Sequence, residues 1–253
     1  MTKISFIFLE KTSSTNAFLL EMPEQERAGT VVAAYEQTSG KGMGSNSWES
    51  SPGLNLTFSM GVDMSFLKAA DQFLLSQAVP LGLLDVLDSI LVGQPSKSGS
   101  TGSLMVKWPN DLVFGGRKLC GILINSTIRG VDMGVSVIGI GLNVNQMQFK
   151  DWPTHPISLK MVLGKDVELD PLLHRLVKAV DERVQLLRTE EGVAKTKKDY
   201  LQRLYRYHQW GSYETQEGRV KLYIDGLDSF GRLITLDEFG KRHVYDVKEI
   251  KFL

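Results

Sequence analysis

Lys107 to Leu123 reads KWPNDLVFGGRKLCGIL, and the arrangement of the chain turns on this stretch. Pro109 fixes its own φ and biases Trp108 towards an extended conformation. Asn110 and Asp111 favour a turn through side-chain hydrogen bonds to nearby backbone. Val113-Phe114 resumes a strand, Gly115-Gly116 is a two-residue hairpin signal, and Lys118 to Ile124 returns as the partner strand. Lys107, Asn110, Asp111 and Lys118 therefore gather on one apolar β-ribbon. In such a ribbon Lys118 comes near Asn110 and Asp111 only where the pairing leaves simple register. A charged hairpin rim needs no turn this stiff, so the stretch reads as a polar site on a rigid element.

Downstream, Val131 to Ile140 pairs with Ile122 to Ile128 across the Arg129-Gly130 turn and ends in Gly139-Ile140-Gly141-Leu142-Asn143-Val144-Asn145. Upstream, Ile4 to Leu9 is a first strand. Thr12-Ser13-Ser14-Thr15-Asn16 then leads into a short helix that Ser14 or Thr15 caps. Thr30 to Tyr35 is nearly continuous in apolar residues and reads as a buried central strand. Leu54, Leu56 and Phe58 alternate with Asn55, Thr57 and Ser59 in strand fashion. Phe66 to Leu91 has helical spacing, with Pro80 and Gly82 marking a break or kink partway. Gly93 to Ser103 is a Gly/Ser-rich connection without chemistry. Asp170 as N-cap and Pro171 at the first helical position open a helix to about Leu187. A basic helix with a solvated face spans about Ala194 to Tyr207. Composition changes at Trp210-Gly211, and from Arg219 the chain is short strands and turns. The expected division is 1–210 and 211–253, the second a β-module of about 45 residues that leans on the first.

The 253 residues carry 29 Lys+Arg and 29 Asp+Glu, so net charge offers no global attraction to nucleic acid or an anionic membrane. A single cysteine, Cys120, excludes an intrachain disulfide and reads as a small buried hydrophobe. No signal peptide is evident, and no apolar run approaches the roughly 20 residues of a membrane helix. A soluble cytoplasmic protein is the expectation. His155, His174, His208 and His243 lack ligand spacing.

The second informative stretch runs from Gln37 to Trp48. Gly40-Lys41-Gly42-Met43-Gly44 follows a buried strand, and alternating glycines let successive N–H groups converge on an anion beside the lysine. It is not a Walker A loop, since Gly42 stands where Ser or Thr is required, and neither it nor GIGLNV has the third glycine of a dinucleotide fingerprint. Trp48 is placed to cover a ligand. A Gly/Ser loop by itself is more often only a connection, and Ser14-Thr15-Asn16 by itself only a helix cap.

Four stretches in order, SSTN, Q-x-x-G-K-G, KWPND with RKLCGIL, and GIGLNVN, resemble one family, the biotin protein ligases, over essentially the whole chain. The resemblance implies an α+β fold: a mixed β-sheet catalytic domain flanked by helices, of the class II synthetase-like, biotin–lipoate ligase type, with a C-terminal SH3-like β-barrel. It implies that biotin and ATP condense to biotinyl-5′-adenylate, and that a lysine of a biotin carboxyl carrier protein then attacks. Ser14, Thr15, Asn16 and Gln37 match the residues that hold biotin's ureido end, and Lys41, Gly42 and Met43 the loop that folds over it. Lys118 matches the lysine on the biotin carboxylate and α-phosphate, with Lys41 beside it in catalysis. Gly40, Lys41, Gly42, Trp48, Lys107, Asn110, Asp111 and Asn143 fall on the ATP and adenylate side, and Asp111, with Asn110, is the candidate helper for Mg²⁺ carried by ATP.

Two departures matter. The family loop is usually arginine-rich, whereas Lys41 is the only cation between Gly40 and Trp48. The motifs also begin at residue 14, leaving no room for the helix-turn-helix of repressor members. The expected partner is a carrier protein such as an acetyl-CoA carboxylase subunit, with no nucleic acid or membrane, the chain acting as monomer or homodimer. The alternatives are a lipoate or octanoate ligase of the same superfamily, and a silent module that binds biotin or carrier without turnover.

Overall fold

The computed structural model describes residues 4–44, 46–91, 102–150 and 156–253. The chain opens with β1 (Ser5–Thr12), α1 (Thr15–Glu21), the short α2 (Glu24–Arg27) and β2 (Thr30–Gln37). A small ribbon of β3 (Gly40–Lys41) and β4 (Ser47–Trp48) precedes β5 (Leu56–Asp63) and α3 (Phe73–Leu91). Then come β6 (Leu104–Lys107), β7 (Asp111–Phe114), β8 (Arg117–Arg129) and β9 (Asp132–Leu142). Helices α4 (Leu159–Leu163), α5 (Leu169–Leu186) and α6 (Glu190–Arg203) lead to β10 (Trp210–Thr215) and β11 (Gly218–Leu227). The last strands are β12 (Leu233–Leu236), β13 (Arg242–Tyr245) and β14 (Ile250–Phe252).

Seven strands form a mixed sheet in the order β1-β2-β5-β9-β8-β7-β6, parallel only between β1 and β2. Alternation gives this sheet two unlike faces. Leu56, Phe58 and Met60 of β5, Ile138, Ile140 and Leu142 of β9, and Cys120 and Ile122 of β8 all enter the main core, beneath α3 and α5. Thr57, Ser59, Gly139, Gly141 and Gly121 point the other way. The polar face read from Asn55, Thr57 and Ser59 is therefore buried, not solvated. A smaller cluster of Leu19, Val32 and Val137 seats α1 at the edge of that second face.

Helix α3 runs on through Pro80, so of the expected break or kink there is no break, and it starts at Phe73, not Phe66. Pro80 and both its neighbours are buried, so packing on either side holds the helix through the lost hydrogen bond. Gly82 has a different task. A Cβ there would lie 2.7 Å from Val180 Cα and 2.9 Å from the Ala179 carbonyl oxygen, so its bareness lets α3 and α5 approach. With a mean hydropathy of 1.5 over its best window, α3 is long and apolar enough to cross a membrane, correcting the expectation that no such run exists. It is apolar nearly all round because it is packed nearly all round.

Three boundaries also move. Helix α5 begins at Leu169 after Glu168, which puts Asp170 and Pro171 inside the first turn; Pro171 has no N–H to leave orphaned there. Helix α6 begins at Glu190 because Thr189 accepts from Gly192 N–H at 3.1 Å, and it ends at Arg203. Strand structure resumes at Trp210, ahead of Arg219. The expected connection at Gly93 to Ser103 lies, from residue 93 to 101, outside the described residues.

The five C-terminal strands form one antiparallel sheet, β13-β12-β11-β10-β14. Tyr213, Leu222, Ile224, Leu233 and Ile250 of this sheet belong to the same core cluster as α3 and the large sheet. Trp108 Nε1 donates to the Gly231 carbonyl at 2.9 Å, and Tyr200 hydroxyl to the Pro109 carbonyl at 2.6 Å. The KWPND turn, with a cis Trp108-Pro109 bond, is thus held from both sides.

Candidate active site

The second face of the large sheet forms the floor of a pocket. Thr57, Gly141 and Gly121 lie in one cross-strand row, and Ser59, Gly139 and Leu123 in the next. Three glycines inside strands weaken a sheet unless something approaches closely. Trp48 does: a Cβ on Gly121 would sit 2.9 Å from its ring, and one on Gly141 would run into the indole. Trp48 Nε1 is buried there without a hydrogen-bond partner among the described residues.

The polar end is built at the start of α1. Ser14 caps the helix, accepting from Ala17 N–H at 3.4 Å. Gln37 Oε1 accepts from Thr15 N–H at 2.7 Å and from Thr15 Oγ1 at 3.0 Å. A backbone N–H can only donate, which orients the Gln37 amide and leaves its Nε2 as an unspent donor group. Thr15, having donated to Gln37, accepts from Ser59 Oγ at 2.9 Å. Asn16 Nδ2 is buried with no partner among the described residues, 3.0 Å from where a Cβ on Gly139 would stand. Buried donors without acceptors are rare enough to need a reason. Here the buried Asn16 amide and the half-buried Gln37 amide both line one pocket, and neither N–H group has an acceptor among the described residues.

The charged end depends on a bulge. Phe114 pairs with Arg117 and Val113 with Lys118, and the register then slips so that Leu112 pairs with Cys120. The inserted residue, Leu119, reverses the alternation. Leu119 and Cys120 both enter the core, while Lys118 turns to the site face with Gly121. This is the departure from simple register that the ribbon required. Lys118 Nζ donates to Asp111 Oδ2 at 2.6 Å and lies 5.8 Å from the centroid of the Trp48 ring. Lys107 pairs across the strands with Asp111, so that one carboxylate stands between two lysines. Burial pushes Lys107 below the usual lysine range, with the Asp111 charge opposing and Lys118 adding to the shift. The Lys107 ammonium lies over the Phe252 ring at 5.2 Å.

Ser14, Thr15, Asn16, Gln37, Lys41, Gly42, Met43, Trp48, Asn110, Asp111 and Lys118 all line this pocket. Three expected residues do not. Gly40 lies just behind, where a Cβ would be 3.1 Å from Gln37 Nε2. Lys107 sits one strand further out. Asn143 is buried with its amide donating to the Ile157 and Lys118 carbonyls at 3.1 and 3.4 Å, and so braces the strand that carries Lys118. Ser59, Gly121, Gly139 and Gly141 line the pocket and were not singled out, although isolated glycines within apolar strands are a readable sign of close approach. Cys120 is fully buried, and burial raises its thiol pKa well above the usual range, which suits a packing role.

Residues 8–143 match the model of the Biotin/lipoate A/B protein ligase family, and that span contains every pocket-lining residue. The chain is similar to the "Bifunctional ligase/repressor BirA" of Escherichia coli strain K12, 28% identical over 239 residues, covering 93% of this chain and 68% of that protein. It is 28% identical over 251 residues to the "Biotin--[acetyl-CoA-carboxylase] ligase" of Paracoccus denitrificans, covering 96% of this chain and 99% of that one. It spans about half, 53%, of the length of other curated relatives it matches. Its fold matches the Aquifex aeolicus biotin protein ligase solved with biotin and ATP, at a TM-score of 0.78 and 22% identity over 98% of each chain. With the match spanning more than half of its length, the chain belongs to the Biotin/lipoate A/B protein ligase family.

Proposed function

We propose that this protein is a biotin protein ligase that activates biotin with ATP and transfers it to a carrier-protein lysine. A biotin carboxylate oxygen attacks the α-phosphorus of ATP, the bond to the β-phosphate breaks, and pyrophosphate leaves. The carrier lysine, as the free amine, then attacks the acyl carbon; an amide forms, AMP leaves, and the amine loses its proton. The observation that carries this reading is the polarity of the pocket. Amide donors of Asn16 and Gln37 with no acceptor among the described residues stand at one end, Lys118 at the other, and a glycine and apolar floor lies between. A ureido carbonyl suits the donors, a thioether ring and aliphatic chain suit the floor, and a carboxylate meeting a phosphate suits the lysine.

In this reading Lys118 balances the negative charge that gathers as carboxylate and phosphate join, a term that a fixed ammonium supplies without reorganisation. Asp111 keeps Lys118 aimed, and Lys41 and the glycine loop cover the mixed anhydride against water. Mg²⁺ that enters with ATP needs only one or two carboxylates besides phosphate oxygens. Asp111 fits that demand, since its Oδ1 carries no hydrogen bond among the described residues. The carrier is a biotin carboxyl carrier protein of a carboxylase.

Exchange of labelled pyrophosphate into ATP, with biotin, lipoate or octanoate as the acid, tests this directly. Exchange with biotin alone is the expected result. Exchange with lipoate or octanoate would reassign the substrate, and biotin binding without exchange would leave a silent module.

A further inference from the structure

A second cavity lies between the start of α3, helix α6 and the turn from β11 to β12, and shares no lining residue with the pocket on the sheet. It measures about 240 Å³, several times the roughly 30 Å³ that one water occupies in the liquid. Phe73, Leu74, Leu201 and Leu227 give it apolar walls. Gln77, which also lines it, is only 5% exposed, and neither its Oε1 nor its Nε2 has a hydrogen bond among the described residues. A carboxamide buried without partners is costly, and mostly apolar cavities with one or two such polar groups are the usual form of a small-molecule site.

The unspent groups define the occupant. A carboxamide sets a carbonyl and an N–H₂ group side by side, so a single partner satisfies both only with an N–H and a carbonyl on neighbouring atoms, arranged cis. Lactams and cyclic ureides carry that edge on a small flat ring suited to apolar walls. Net charge is not called for. The Asp228 carboxylate is spent on its own turn, accepting from Phe230 and Arg232 N–H at 2.9 Å each and from Arg232 Nε at 2.7 Å. Asp71 and Lys197, at the exposed mouth, are of opposite sign. The same walls support the KWPND turn. A Cβ on Gly231 would run into the Phe73 ring, which meets the Tyr200 ring edge-on at 6.0 Å. Gly231 and Tyr200 are the residues that hold Trp108 and Pro109, so a ring seated against Phe73 bears on the turn from behind.

We infer that this cavity is a binding site for a small neutral ring with a lactam or cyclic-ureide edge, paired with the Gln77 amide. Such a ring comes from a free pyrimidine base or from the ureido head of biotin. The site does not depend on the protein's being a biotin ligase.

Uracil and ethyleneurea, the bare ureido ring, test it when titrated into the parent protein, Gln77→Leu and Ser229→Trp. Binding is read from the methyl NMR signals of Leu201 and Leu227 and from Tm. In the parent, both compounds should move those signals with a Kd of about a millimolar, as befits so few atoms, and at about ten times Kd should raise Tm by a few degrees. Gln77→Leu keeps the size and drops the amide; it should weaken both compounds about tenfold or more and raise the ligand-free Tm. Ser229→Trp, at the exposed rim, should block entry and leave the ligand-free Tm unchanged. Unmoved Leu201 and Leu227 signals in the parent at about ten times that concentration would overturn the site and leave Gln77 to water. Equal affinity in the parent and Gln77→Leu would overturn it too. Biotin separates the two sources once the site is upheld: a second equivalent that Gln77→Leu loses names biotin, and a stoichiometry unchanged by that substitution names a free base.

Discussion

Lys118 shows how much hangs on one side chain. It was legible from the sequence as the lysine of a K-x-x-G-I-L strand beside an Asn-Asp turn, but its direction was not, because plain alternation would bury it with Cys120. We predict that Lys118→Ala lowers adenylate formation by about 100- to 1000-fold, the usual loss for one transition-state donor. Its Tm should barely change, since Asp111 keeps Lys107 opposite it. Parent-level exchange in the purified variant would remove Lys118 from the chemistry. Lys107 makes a prediction in pH. Its folded pKa lies below the ordinary 10.5, so the unfolded chain holds the proton more tightly. Above 10.5 both states are neutral and burial costs nothing. The penalty grows as pH falls and is complete below the folded value. Lys107→Met should flatten this alkaline rise in stability and raise Tm at pH 7; urea titrations at several pH values would show it, and an unchanged slope would contradict it.

At the scale of elements, the strands were read well and the helices less so. Strand alternation and the Gly115-Gly116 turn are local chemistry, and both glycines have the positive φ, 57° and 79°, that a tight hairpin asks for. Of the break or kink expected at Pro80, the break does not occur because burial on both sides outweighs one missing hydrogen bond. Gly82 offers a clean contest between two effects. Helix propensity alone makes Gly82→Ala stabilising by about 1 kcal/mol. The added Cβ would press on the backbone of α5, which cannot swing aside, and overpacking of this kind costs about 1–3 kcal/mol. We predict that sterics win and that Tm falls by a few degrees in calorimetry. A rise in Tm would mean that α3 and α5 slide apart more easily than their packing implies.

For the whole molecule, the core joins the two sheets. Tyr213, Ile224 and Leu233 share one cluster with α3 and the large sheet, and the Trp108 indole is bonded to the Gly231 carbonyl. We predict a single cooperative unfolding transition in calorimetry, with no separate melting of the C-terminal strands; two resolved transitions would refute a common core. By itself, the sequence determined the order of strands and turns, the KWPND ribbon, the glycine loop and the polar residues that open α1. These are written in period-two patterns and turn residues, which act over a few positions. Only the tertiary structure decided that Lys118 faces the pocket, that Gly121 and Gly141 lie under Trp48 and Gly139 under Asn16, and that Lys248 meets Gly44. A one-residue register slip, a close approach between distant strands and a contact across 204 positions depend on how elements pack, and no local pattern encodes them.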